Sequence, residues 1–357
     1  HTFATPGART VQVSLTDEDG SYANLASVAV TVGTLSATVS VETGADAALD
    51  EGATFTRTIA FTDGTDNGAA GWSYSINYGD GSAAVTGTTL VKSINLSHLY
   101  ADGNATRTAT VTVTDITGET STDSFQVQVN NVAPVAVVSG AATVNEASVY
   151  TLNVGAITDP GADTRTGYTI AWGDAFISSF TAAQWAAAAG SFTHTYADNA
   201  AATITVSATD EDGTFVLGTQ AVTINNVAPT ALLTGASSTN EGSLYSLNIT
   251  GSDVAGAADP LTYSIDWGDG SAVQTLTAAQ LAALSGNVAH TFADDADGAV
   301  NSTPRTISVT AFDGDGGVTT QTKVVNVNNV APTLAATGAA TVEAGQTYTL
   351  NLGAITD

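Results

Sequence analysis

Thr108-Ala109-Thr110-Val111-Thr112-Val113-Thr114 alternates hydroxylated and small apolar side chains without a break. Successive side chains of an extended chain point to opposite faces, so this stretch offers one face to a core and one to water. A helix would scatter the same residues around its axis. The device returns at Ser124 to Val129, Thr203 to Ala208 and Thr306 to Ala311. β-Branched residues suit a pleated surface, and Gly, Asp and Asn collect between the runs. The pattern predicts half-buried antiparallel strands.

The strands belong to a repeat. Asn-Asn-Val-Ala-Pro occurs at Asn130 to Pro134, Asn225 to Pro229 and Asn328 to Pro332, its prolines 95 and 103 residues apart. A Gly-Asp turn follows an aromatic at Tyr78-Gly79-Asp80, Trp172-Gly173-Asp174 and Trp267-Gly268-Asp269. His-x-Phe/Tyr-Ala stands at His1, His98, His194 and His290, so all four histidines occupy one repeat position. An acidic loop recurs at Asp17 to Gly20, Asp115 to Gly118, Asp210 to Gly213 and Asp313 to Gly317. A period of this size implies self-contained sandwiches in tandem, because shorter solenoid units cannot bury a face alone.

About seven strands per repeat fit an immunoglobulin-like sandwich. The expected fold is therefore all-β: tandem antiparallel sandwiches in an elongated array. The exception is a short helix in repeats two and three, at Thr181 to Ala189 and Thr277 to Leu284. There a Thr-x-x-Gln capping box precedes an alanine-rich run, with Trp185 or Leu281 turned inward. Thr88 to Leu96 takes that place in repeat one and reads as strand or loop. The division is 1–33, the last strands of one repeat; 34–132, 133–227 and 228–330, complete repeats; and 331–357, the first strands of another.

Bulk properties narrow the function classes. Hydrophobic residues make up 43% of the 357, enough for several cores. Charged residues are 11%, with 34 acids against 7 bases and a net charge of −27. That field opposes nucleic acid and anionic membrane surfaces and attracts divalent cations. Cysteine is absent, which excludes disulfides, thiol nucleophiles and cysteine–metal sites. No signal peptide, transmembrane run or lipidation signal is visible, and the chain opens mid-strand at His1-Thr2-Phe3, so it reads as an internal piece of a longer polypeptide.

The conjunction of the aromatic-Gly-Asp-Gly-Ser turn, the His-x-Tyr/Phe-Ala-Asp corner and the Thr-x-Asp-x-x-Gly loop resembles polycystic-kidney-disease-type (PKD) domains, in particular the tandem versions of large bacterial surface proteins. In repeat three the match is carried by Trp267 to Ser271, His290 to Asp294 and Thr310 to Gly316. The resemblance implies a sandwich fold and an extracellular life as spacer, adhesion module or accessory module beside a secreted hydrolase. It also implies that calcium binding occurs among such domains. Repeat two departs from it: Gly173-Asp174-Ala175 lacks the second glycine, so its turn must differ or bear strain. The junction near Gly33-Thr34-Leu35 lacks the Asn-Asn-Val-Ala-Pro linker.

With seven antiparallel strands, a repeat is entered at one pole, here called leading, and left at the other, trailing. Strand parity then sorts the acids. Glu146, Asp174 and Asp198 fall at the trailing pole of repeat two, beside Asn225 and Asn226. Asp253, Asp259, Asp313 and Asp315 fall at the leading pole of repeat three. At the preceding junction the matching set is Asn130, Asn131, Asp159, Asp210 and Asp212, with Glu51 approaching from repeat one. Carboxylates and amide oxygens converging from two repeats are the hard-oxygen set that calcium takes, so calcium is the expected cofactor. The competing reading is that these Asx residues satisfy turn amides. No twelve-residue calcium loop is present.

The histidines lie one per repeat next to a core aromatic, so a structural role at the corner is expected. Trp172, Trp267 and Tyr78 read as core anchors, with sugar stacking as the alternative. Trp72 has no assignment. Asn95, Asn104, Asn248 and Asn301 stand in Asn-x-Ser/Thr sequons, common by chance in a threonine-rich chain.

No metal–histidine cluster, nucleotide loop or nucleophile motif stands out. The leading expectation is a non-catalytic structural or adhesive rod outside the cell. Its short proline-bearing linkers limit swing, and the strand rise gives a reach of more than about 100 Å. Threonine-rich outer faces and few large exposed apolar side chains suit that setting. Expected partners are neighbouring copies, other cell-surface proteins or glycans, with no nucleic acid and no membrane insertion. The rivals are a subunit of an extracellular filament or sheath, in which end strands of neighbouring chains pair, and spacer or carbohydrate-binding modules of a secreted hydrolase.

Overall fold

The computed structural model describes residues 1, 3, 7–32, 39–64, 71–294 and 302–356. The expected junction at Gly33-Thr34-Leu35 and the sequon residue Asn301 lie outside the described residues. The chain packs as two compact units. The first holds His1–Ala136, Ile157–Tyr168 and Ser207–Leu217; the second holds Val137–Ala156, Thr169–Val206 and Gly218–Asp357.

In the first unit the strands Gly7–Asp17 and Gly20–Val32 form an antiparallel hairpin. A two-sheet sandwich follows. Its smaller sheet places Thr54–Thr62 between Ser40–Glu42 and Ser93–Leu99; its larger sheet runs Ala47–Asp50, Thr120–Asn130, Ala105–Thr114, Trp72–Asn77, Val85–Thr89 in spatial order. The alternating stretch lies in Ala105–Thr114, where Ala109, Val111 and Val113 are buried. On the outer face Thr112 meets Thr122 of the neighbouring strand at 2.9 Å, hydroxyl to hydroxyl. Period-2 patterning and cross-strand pairing thus set the register together.

Repeats two and three use the same spatial order. In repeat three, wholly inside the second unit, Leu244–Ser252 lies between Thr230–Thr234 and Asn287–Thr291. The larger sheet runs Ser238–Asn240, Val318–Asn328, Ser302–Phe312, Thr262–Asp266, Gln274–Thr277. Ile307, Val309, Ala311, Val325 and Val327 fill the core from this sheet, with Leu247, Ile249 and Val288 opposite. The second unit ends in a hairpin of Thr333–Gly338 and Leu350–Thr356.

The expectation of seven antiparallel strands needs correction. The first strand breaks in two, and its second half pairs in parallel with the end of the last strand: Ala47–Asp50 with Val127–Asn130, Thr143–Asn145 with Thr223–Asn225, Ser238–Asn240 with Asn326–Asn328. In repeats two and three a tyrosine sets the break. The hydroxyls of Tyr150 and Tyr245 donate to the carbonyls of Ala141 and Ala236 at 3.1 and 3.0 Å. They stand where a Cβ on Gly140 or Gly235 would lie, so only glycine lets the chain pass over the ring and change sheets.

Both helices form as the capping boxes predict. Thr181 and Thr277 accept from the amides of Gln184 and Gln280, whose side chains reach back to the cap. Leu281 is buried, and Trp185 packs against Phe180 and Phe192. In repeat one the two strands Val85–Thr89 and Ser93–Leu99 stand there instead. Trp72 opens the strand Trp72–Asn77 and is a core residue: its indole donates to Asp63 at 2.7 Å and its ring meets Phe61.

Large apolar side chains are less hidden than expected; Val149, Leu232 and Leu244 are exposed. Each precedes an inward residue, Tyr150, Leu233 or Tyr245, and neighbours on a strand cannot share a face.

Where Gly81 and Gly270 turn with φ of 88° and 81°, Ala175 is held at φ 72°, a region costly for any residue with a Cβ. Ala175→Gly is expected to stabilise the protein by about 1 kcal/mol, read as a raised denaturant midpoint with an unchanged slope.

Candidate functional site

The turn after the split first strand carries a glutamate in each complete repeat: Asp50-Glu51-Gly52, Asn145-Glu146-Ala147, Asn240-Glu241-Gly242. Because the strand before it runs beside the end of the last strand, the glutamate arrives at the linker leaving the repeat. There it accepts the linker amide through Oε1, from Val132 at 2.7 Å, Val227 at 2.6 Å and Val330 at 2.5 Å. Glu51 and Glu146 are only 2% and 1% exposed, and their second oxygens, Oε2, have no hydrogen-bond partner. A buried carboxylate oxygen left so is costly.

At the first junction, within the first unit, Glu51 faces other acids. One carboxylate oxygen each from Glu51, Asp102, Asp163 and Asp212 lie within 4.8 Å of one another, and so do those from Asp159, Asp163 and Asp210. Asp163 belongs to both sets, and neither of its oxygens has a partner. Two glycines hold the wall: a Cβ on Gly103 or Gly161 would strike the Glu51 carboxylate at 2.6 Å. Arg165 is the one cation bonded here among the described residues, Nη1 donating to Asp159 Oδ2 at 3.0 Å.

The second junction, within the second unit, repeats the plan. Glu146, Asp198 and Asp259 form one set and Asp253, Asp259 and Asp313 the other, again within 4.8 Å. Asp259 is shared, is 1% exposed, and has no hydrogen-bond partner on either oxygen.

The two readings of the aspartates divide between the oxygens of each carboxylate. Asp210 Oδ1 accepts the amides of Asp212 and Gly213 at 3.0 Å, and Asp253 Oδ1 that of Ala255 at 2.9 Å, as turn aspartates do. The Oδ2 atoms of both are buried and unpartnered. Among the linker asparagines, Asn131 donates to Asp212 at 2.8 Å and Asn226 to Asp313 at 2.9 Å, orienting those carboxylates. Asn226 Oδ1 stays unpartnered. Asn130 and Asn225 turn instead to Asp50 and Asn145 in their own repeats. Asp315 joins none either, though it lies close enough to Asp259 to raise its pKa.

Crowding shows in the acidities. Burial, then the charges of Glu51, Asp159, Asp210 and Glu211, push Asp163 up to about 6. Burial, Glu146 and the neighbouring Asp315 and Asp198 do the same to Asp259, also to about 6. Burial raises Glu51, with Asp159 and Asp212 adding to the rise, against the pull of the linker amide of Val132. Asp313 moves the other way: burial raises it, but donation from Asn226 and the amides of Asp315 and Gly317 outweighs that. Such oxygen sets can hold a hard divalent cation, and 4.8 Å is about twice a calcium–oxygen distance. Asp102 and Asp163 were absent from the expected set. Asp102 was findable, because an aspartate ends the corner motif at Asp102, Asp198 and Asp294 alike.

The histidines do something else. His98, His194 and His290 each place Nε2 2.6 Å from the turn carboxylates Asp80, Asp174 and Asp269. Each ring stacks on the aromatic before that turn, at 4.0 Å on Tyr78, 4.8 Å on Trp172 and 4.4 Å on Trp267. The two motifs are therefore halves of one lock. Tyr100 and Tyr196 close it by donating to the carbonyls of Tyr78 and Trp172, while Phe292 packs there without a hydroxyl. Gly79 and Gly268 are required, since a Cβ at either would collide with the carbonyl of Thr108 or Thr306. Ser82 donates to Asp80, not to the imidazole, the reverse of the arrangement that activates a serine.

Fold and site together define a chain of tandem immunoglobulin-like β-sandwich repeats with acid-lined junctions. No family model matches the sequence, and no curated protein matches it. Among solved structures the chain is similar to a tetra-tandem repeat in the extending region of a large adhesion protein, at 19% identity and TM-score 0.44, over 90% of this chain and 82% of that one. It is also similar to a protein from work on host cell surface retention of a 1.5-MDa bacterial ice-binding adhesin (15%, TM-score 0.29, 82% and 97%). A third is Sidekick-1 immunoglobulin domains 1–5 (13%, TM-score 0.27, 92% and 77%). These likenesses carry no argument about function.

Burial raises Asp80 and Asp269, but Ser82 or Ser271 and the histidine more than offset it, holding both at about 2 against a usual 3.8. A depressed carboxylate stabilises the fold above its unfolded pKa, and that contribution disappears as pH falls through the folded value. Thermal midpoints of the parent, measured without metal, should therefore drop between about pH 4 and pH 2. The variant combining Asp80→Asn, Asp174→Asn and Asp269→Asn should start lower and fall less steeply across that window.

Proposed function

We propose that this chain is a non-catalytic, extracellular structural or adhesive repeat segment of the PKD type, whose junctions are made rigid by calcium. The observation that carries the reading is the recurrence, at two junctions, of a buried glutamate. It bonds the linker amide with one oxygen and presents the other, unpartnered, to acids from the next repeat. A cation there would satisfy oxygens that otherwise repel, and would tie the linker, the trailing turn of one repeat and the leading loops of the next to one centre. Glu51, Asp102, Asp163, Asp212, Asp159 and Asp210 would hold it at the first junction, and Glu146, Asp198, Asp259, Asp253 and Asp313 at the second. Extracellular modules work with calcium affinities in the 10⁻⁴–10⁻³ M range, roughly, which suits sites of this kind outside a cell.

The interior supports a structural role over a sugar-binding one. Trp72, Trp172 and Trp267 are buried in cores, and Trp185 is taken up by Phe180 and Phe192. A glycan-stacking platform needs an exposed ring.

Calorimetric titration of metal-stripped protein with calcium should give saturable heat, and the melting midpoint should rise. At a hundredfold excess over Kd the stabilisation is about 2.7 kcal/mol for each site. Combining Glu51→Ala with Glu146→Ala should remove most of that shift. Calcium that produces neither heat nor a midpoint change would refute the reading.

A further inference from the structure

The two acid sets at a junction are not alternatives. At the second junction, Glu146 with Asp198 and Asp253 with Asp313 form two separate sets that share one carboxylate, Asp259. Neither of its oxygens receives a donor among the described residues, the Asp315 side chain beside it being another carboxylate, and it is 1% exposed. One buried oxygen without a partner would be met by one ion or water. Two on the same side chain, each needing a donor or cation, mark a bridge. The other acids agree, since Glu146 Oε2 in one set and Asp253 Oδ2 in the other are also buried and unpartnered.

Charge points the same way. The two sets gather Glu146, Asp198, Asp253, Asp259 and Asp313, five carboxylates, and Asp315 stands as a sixth beside Asp259. Asn226 is a neutral donor to Asp313. One divalent ion would leave most of that negative charge in a largely buried place, and two offset the greater part of it. Asn226 Oδ1, buried and unpartnered beside Asp313, adds a neutral oxygen to the second position.

We propose that the second junction holds a pair of divalent cations bridged by the Asp259 carboxylate, one on Glu146 and Asp198, the other on Asp253 and Asp313. This rests on the calcium reading above and adds number and connectivity to it. A shared ligand couples the positions: filling one fixes the carboxylate for the other, so the two ions bind together. The first junction repeats the layout around Asp163, but Arg165 already occupies Asp159 Oδ2 and competes for its second position. Paired binding is therefore expected to be tighter at the second junction.

Native mass spectrometry of the full chain, stripped with chelator and returned to calcium alone, counts the ions. Relative to the parent, Asp253→Asn and Asp198→Asn should each bind one ion fewer, and their combination two fewer. Asp259→Asn should bind two fewer by itself. Its melting midpoint in chelator should match or exceed the parent's, since one of several repelling buried carboxylates is neutralised. If the Asp198/Asp253 combination loses only one ion, or Asp259→Asn loses one and no more, the bridged pair is wrong while junction calcium stands. A parent that takes up no calcium removes both.

Discussion

At the first two junctions the linker amide is bonded by a glutamate that the repeat has already buried, and the rest of the junction follows from that single contact. Glu51 and Glu146 reach Val132 and Val227 because the preceding strand runs parallel to the last one and stops beside it. Once one oxygen is committed to the linker, the other is fixed in direction and stranded out of water. Its neighbours Asp163 and Asp259 are stranded with it, and their pKa values rise accordingly. Removing two or more anions from solvent is tolerable only with compensating charge or protons. The junction is thus a place where folding of the single repeat creates a demand that the single repeat cannot meet.

The lock around each histidine, by contrast, is self-sufficient. His98 on Asp80, stacked on Tyr78 and closed by Tyr100, satisfies the polar groups it gathers within one sandwich. Here desolvation is more than repaid by hydrogen bonds, so the carboxylate sits below its usual range. Comparison of Asp80 with Asp163 shows how the same residue type takes opposite electrostatic roles in one chain. One is a completed structural pair, and the other an open coordination position. A histidine beside a carboxylate and a serine is not by itself chemistry; the order of the bonds decides, and here the carboxylate stands in the middle.

Much of the fold was legible because periodicity is a local property. Thr108 to Thr114 declares its own two faces, the capping boxes at Thr181 and Thr277 declare their helices, and Ala175 announces its strain by standing where glycine recurs. The pole assignment needed only strand parity, and it placed Glu51, Asp159, Asp210 and Asp212 together, as the structure does for one or other set. What escaped depended on distances across the chain. The sheet change at Gly140 and Gly235 is dictated by tyrosines ten residues on in each case, Tyr150 and Tyr245. Asp163 sits in an irregular loop with no motif, and nothing local separates it from Asp159. The contact of the Gly-Asp turn with the histidine corner joins two motifs that look independent when written in line. In the first two asparagine pairs the second member, Asn131 or Asn226, donates to an acid of the next repeat while the first turns to its own repeat, because consecutive residues leaving a strand point to opposite sides.

The parallel pairing at the end of each repeat has a bearing on tension. The chain enters a sandwich through the strand that splits, and leaves through the strand beside its second half. In repeat three these are Ser238–Asn240 and Asn326–Asn328. A pull applied to the two ends of such a module drags these neighbours past each other along their length. Every hydrogen bond between them is then loaded at once, whereas an antiparallel hairpin pulled from its open end unzips its bonds in succession. Resistance to stretching is consequently concentrated in a three- or four-residue patch next to the glutamate turn.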